Sequence, residues 1–262
     1  MRLLITSVLL TGAAFGATPA DPTPAQIDDI VQKFAAKEAE FAQARGNYTY
    51  RQTARVMSLD DGGNTTGKWE EVTDIVFTPE GKRSEKVIHA PMSTLTAFQL
   101  DPGDIQDLRE VQPFVLTSVE LPKYFIRYLG RQQVDEIGTY VFAVKPKKLD
   151  PGQRYFEGEV WVDDHDLQIV KTYGRGVGQQ KRGADNQYPK FETYREQIDG
   201  KYWFPTYTLA NDTLQFREGP QRMKMQVRYE DYKMFKTDTQ IKYDTDSATT
   251  PPSTGTATPA KK

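Results

Sequence analysis

Residues 154–174 read RYFEGEVWVDDHDLQIVKTYG, two strands around a tight polar turn. The first arm places Phe156, Val160 and Val162 on alternate positions, and the second supplies Leu167, Ile169, Val170 and Tyr173. Successive side chains of a strand point to opposite faces, so a period of two marks a half-buried strand. Between the arms lies Asp163-Asp164-His165-Asp166, residues whose side chains hydrogen-bond nearby backbone in turns. The same rhythm recurs on both sides of this hairpin, which predicts one long antiparallel meander.

Strands are expected at 48–59, 69–77, 82–89, 124–133, 139–146, 191–198, 202–210, 213–217 and 223–235, besides the hairpin itself. Asp60-Asp61-Gly62-Gly63-Asn64, Pro79-Glu80-Gly81 and Asp199-Gly200 supply tight turns. Residues 174–189, rich in Gly, Gln and Lys, read as an exposed loop. Two segments break the β rhythm. The first opens with Thr23-Pro24 and has Gln26 where a capping box needs it. Ile27, Ile30, Val31, Phe34 and Phe41 then form an apolar stripe at helical spacing, and Gly46 ends it. About 22 residues at 1.5 Å each give a helix of roughly 33 Å. The second break, residues 90–122, starts a short helix at Asp101-Pro102-Gly103-Asp104 that runs to about Val111. Its apolar residues, including Leu95, Phe98, Ile105, Leu108 and Phe114, must fold onto something. They form either a cover for one end of the sheet or a movable lid over a ligand cavity.

The N-terminus carries a targeting pattern: Met1-Arg2, an apolar run at 3–15, and a small-residue processing site with cleavage expected near Gly16. This predicts a signal peptide at 1–16, one β domain at 17–243 and a disordered polar tail at 244–262. The 262 residues contain no cysteine, so no lipobox thiol and no disulfide exist, and the core must supply stability. Export without cysteine points to a bacterial periplasm. A net charge of −2 argues against nucleic acid as a partner.

Catalytic chemistry finds little to use. There are two histidines, His89 and His165, no G-x-S-x-G elbow and no phosphate loop. The Asp163–Asp166 group reads as a turn and not a metal site, and Glu157 with Glu159 as an outer strand face and not an acid pair. The chain is read as a non-enzyme with no metal and no cofactor. Binding is better served. A curled, incompletely closed sheet leaves a concave apolar face, for which Phe142, Val144, Phe156, Val160, Val162, Tyr207, Leu209, Met225 and Val227 are candidates. The same residues also suit an ordinary β core.

The order of elements, with GEVWVD at 158–163, LQIV at 167–170 and KYWFPT at 201–206, resembles the LolA-like superfamily of outer-membrane lipoprotein-sorting proteins over residues 25–235. The resemblance implies a mainly β protein with a few helices: an open antiparallel β half-barrel of about eleven strands, covered by the N-terminal helix and a helical lid. It further implies a periplasmic carrier that holds a lipid or lipoprotein acyl chain in an apolar cavity, acting as a monomer. In that family an arginine binds the lid; Arg51 and Arg55 are nearest to it by strand position. The alternative on the same fold is a protein-interaction or envelope-stress sensing module, with an envelope protein as partner and the cavity filled by the chain's own lid.

Overall fold

The computed structural model describes residues 21–78, 82–179 and 188–235. The expected signal peptide, the polar tail, the turn at Pro79-Glu80-Gly81 and residues 180–187 of the expected loop lie outside them. The described residues form ten antiparallel strands in one open sheet. In chain order these are β1 (Tyr48–Leu59), β2 (Thr65–Phe77), β3 (Arg83–His89), β4 (Tyr124–Val134), β5 (Ile137–Pro146), β6 (Arg154–Asp163), β7 (Ile169–Gly178), β8 (Phe191–Ile198), β9 (Tyr202–Phe216) and β10 (Gly219–Met234). The spatial order β3-β2-β1-β10-β9-β8-β7-β6-β5-β4 places two meanders side by side, joined where the first strand pairs with the last. Strands β3 and β4 are the edges and do not meet, so the barrel stays open.

Ten strands stand where about eleven were expected, because 202–210 and 213–217 are a single strand. The ladder with β10 runs without a shift from Gly219↔Phe216 to Arg228↔Tyr207, so Asn211-Asp212 causes no break. The glycine-rich stretch after Tyr173 also differs from expectation: through Gly178 it is strand β7, not loop.

Helix α1 (Pro24–Arg45) starts as its sequence predicts, with the Thr23 hydroxyl and the Gln26 side chain closing a reciprocal capping box. Its apolar stripe lies on the concave face of the sheet. Phe34 packs against Phe142 with ring centroids 5.5 Å apart, and Phe41 meets Phe204 edge-on at 5.0 Å. The connection from β3 to β4 carries a second helix, α2 (Pro102–Gln106), capped by Asp101, and then widens into a π-helical turn, Asp107–Val111. That widening, unforeseen in the sequence, begins at the residue that Arg154 holds. Single π turns of this kind recur at functional sites.

Candidate binding site on the concave face

Strand alternation fixes which side chains line the concavity. Phe142, Val144, Phe156, Val160, Val162, Met225 and Val227 all point inward and are at most 4% exposed. Tyr207 and Leu209 do not belong with them. The register pairs Ala210 with Met225 and Thr208 with Val227, so Thr208 and Ala210 are the inward residues of β9. Tyr207 faces outward, where its hydroxyl accepts a hydrogen bond from Gln226 Nε2 at 2.9 Å. Between 207 and 210 the larger side chains, Tyr207 and Leu209, lie on the outer face and the small Thr208 and Ala210 face inward, which made the parity look inverted.

On β6 and β7 the inward positions include Gly158, Gly174 and Gly176, and their missing side chains are used. The Phe156 ring lies over Gly158 and Gly174; a Cβ at either would come within 3.0 and 2.7 Å of it. Phe114 of the β3–β4 connection stacks on that ring at 4.6 Å. At Gly176 the space a Cβ would fill is occupied by the Asp107 carboxylate. Glycine in a strand interior marks such close approach.

The connection therefore sits inside the concavity. Leu108, Val111, Phe114 and Leu116 are buried in the core, while Leu95, Phe98, Leu100 and Ile105 pack over them half-buried. Short irregular segments leave carbonyls without partners, and buried carbonyls need them. Inward-facing polar side chains of the sheet provide them. Thr193 Oγ1 donates to the Gln112 carbonyl at 3.1 Å and continues a hydroxyl chain through Thr208 to Tyr229, with links of 2.8 and 3.2 Å. Gln52 Nε2 reaches the Leu108 carbonyl at 3.5 Å. Arg195 Nη2 donates to the Phe114 carbonyl, while its Nη1 pairs with Glu38 at 3.1 Å. Glu38 also accepts the Ile169 N–H at 3.0 Å, so one buried carboxylate ties α1, β7, β8 and the connection together. Arg154 grips Asp107 with two bonds of 2.7 and 2.5 Å.

Burial sets the electrostatics. It pushes the Glu38 carboxyl up, against the pull of Arg195, and the Asp107 carboxyl up, against Arg154. Asp104 is pushed up to about 7 by burial first, with the neighbouring Asp101 and Asp107 adding repulsion.

Arg51 and Arg55, expected by strand position to be lid ligands, point outward and pair with Asp74 and Glu70 at 2.7 and 2.9 Å. Arg195 and Arg154 hold the connection instead. Two signals in the sequence could have found the Arg195 pair: Glu38 falls in the α1 stripe between Phe34 and Phe41, and Arg195 shares parity with Phe191 and Thr193. The Asp163 carboxylate accepts the backbone N–H groups of His165 and Asp166 at 2.7 and 2.6 Å, the work of a turn residue. Glu157 and Glu159 share the outer parity, and Glu157 lies 3.5 Å from Lys145.

Two cavities flank the π-helical turn. A pocket of about 130 Å³ lies beneath Phe98 and Leu100, floored by Val56, Leu214, Met223 and Met225. A polar groove of about 950 Å³ runs on the other side, walled by Arg45, Arg83, Arg109, Lys123, Arg154 and Tyr155.

No family model matches the chain, and no curated protein matches its sequence. Among solved structures it is similar to a DUF1329 family protein from Desulfovibrio piger ATCC 29098, at 14% identity and TM-score 0.41 over 78% of this chain and 92% of that one. It is also similar to a LolA superfamily protein from Nitrosomonas europaea (12% identity, TM-score 0.36, 80% and 93% covered). A third is an outer membrane lipoprotein-sorting protein domain from Vibrio parahaemolyticus (14% identity, TM-score 0.35, 81% and 95% covered).

Proposed function

We propose that this protein is a periplasmic carrier that binds a lipid or lipoprotein acyl chain on the concave face of its half-barrel, and that the described state is the closed one. One observation carries the reading: beside the stripe of α1, the apolar concavity is filled by an irregular segment latched by hydrogen bonds. Leu108, Val111, Phe114 and Leu116 occupy the place an acyl chain would take. The apolar pocket left beside them, about 130 Å³, is smaller than the roughly 300–1,000 Å³ of ordinary ligand sites. Loading therefore requires the half-buried flap of Leu95, Phe98 and Leu100 to lift and the plug to withdraw. Each methylene that enters gains about 0.8 kcal/mol, which offsets the apolar burial that the plug gives up on leaving.

The same plug supports a second reading, a protein-interaction module whose cavity is permanently filled by its own chain. Native mass spectrometry of the protein purified from periplasm separates the two. Co-purifying phospholipid or acylated peptide, or uptake of added lipid, favours the carrier. A ligand-free mass that stays unchanged with added lipid leaves the interaction module.

A further inference from the structure

The π-helical turn divides the interior. Asp107 and Leu108 face the apolar pocket, whereas Arg109, Glu110 and Val111 line the polar groove. At about 950 Å³ the groove lies at the upper end of the range for small-molecule sites, roughly 300–1,000 Å³. Five cations line it, and four have carboxylate partners. Arg83 and Arg109 share Glu85, each at 2.7 Å, Lys123 pairs with Glu120 at 2.9 Å, and Arg154 holds Asp107.

Arg45 is different. Among the described residues no carboxylate lies within ion-pair distance of it, and its Nε is shielded from solvent without a hydrogen-bond partner. The guanidinium carbon stands 5.9 and 5.7 Å from the rings of Phe41 and Phe77. A cation in the last turn of α1 suits the negative end of the helix. That accounts for the residue type, but not for an N–H withdrawn from water with no acceptor, which is costly and calls for an explanation. Burial, together with repulsion from Arg195 and Arg83, lowers the proton affinity of Arg45, as befits a cation short of negative charge.

We infer that the groove is a head-group subsite, in which Arg45 is the counter-ion for the carboxylate or phosphate head of an acyl ligand. The inference rests on the carrier reading for the chain, but on separate atoms for the head. A guanidinium presents forked donors that match two oxygens of a carboxylate or phosphate. The groove also lies next to the plug: Phe114 and Phe156 line it and belong to the concave core as well. A head on Arg45 would thus place its first methylenes against the residues that an entering chain must displace.

The test is calorimetric titration of the full chain with dodecanoate, dodecyl phosphate, the neutral monododecanoylglycerol and inorganic phosphate. The anionic acyl probes are expected to bind at least about tenfold more tightly than the neutral one. Arg45→Gln should abolish that margin without changing the neutral probe, and Arg45→Lys should retain most of it. Added salt should weaken only the anionic probes, a readout on the unaltered protein that does not depend on how a variant folds. Equal affinity for charged and neutral acyl probes would overturn the subsite and leave the carrier reading standing. Arg45-dependent binding of inorganic phosphate, with no gain from an acyl chain, would overturn the carrier reading and the head-group assignment together, leaving a small-anion site. Binding by none of the probes would overturn both.

Discussion

Glu38 and Arg195 are a buried pair with side chains 0% and 2% exposed, and each has further partners that satisfy it. Removing one member of such a pair costs about 3–5 kcal/mol because the other charge is left buried and alone, whereas removing both with apolar side chains of similar volume is far milder. Urea denaturation of Arg195→Met is therefore expected to show a loss of that size, and Glu38→Met/Arg195→Met to recover much of it. Asp104 gives a pH signature. The ordinary Asp value is 3.8 and its folded value is about 7, so the native protein holds a proton that the unfolded chain has released between those values. The stability linked to this group is fully present below pH 3.8 and is lost as pH rises through about 7. Glu38 and Asp107 shift in the same direction, so the test is a difference: thermal midpoints of wild type minus Asp104→Asn across that window should slope downward with pH and flatten above it. Much of the concave face was legible in the sequence at this scale, since Phe142, Phe156, Val160 and Met225 sit in apolar alternation. The hydrogen-bonding residues were not. Gln52, Thr193 and Thr208 look like outward polar positions until something inside needs a donor, and the carbonyls they serve belong to a segment far away in the chain.

The β3–β4 connection is the element that fills the concavity beside α1. Its docking depends on glycines that the sequence presents as loop-formers, which is why 174–178 looked like a loop: a strand whose inward positions are glycine carries no apolar alternation. Gly176→Ala puts a methyl group where the Asp107 carboxylate lies. Overpacking of this kind costs about 1–3 kcal/mol, and here it should fall on the connection first. Hydrogen exchange is expected to accelerate across 105–114 while β1 and β10 keep their protection; uniform acceleration would mean that the segment does not open as a unit. The helix α1, by contrast, was fully written in its sequence, because its cap, its stripe and its stop are local signals.

For the whole molecule, an open sheet leaves two edges. On β4, Phe125 is 62% and Leu129 40% exposed, and on β3 Val87 and Ile88 are 54% and 44% exposed. Unpaired edges bearing apolar side chains invite pairing with other chains. Phe125→Lys/Leu129→Lys should reduce concentration-dependent self-association in sedimentation velocity, and a wild type with none would show that these edges are already protected. The sheet order adds a constraint on time. A nascent chain emerges from its N-terminus, so the first hairpins can close within themselves soon after they appear. Strand β1 has its other ladder on β10, which arrives last. Until then β1 is a bare edge beside an unfinished concavity, and closing the seam must overcome the loop entropy of almost the entire chain. A chain delivered end-first passes through a stage in which its largest sticky surface is open and its final strand is still on the way, the stage at which a holding partner would matter most.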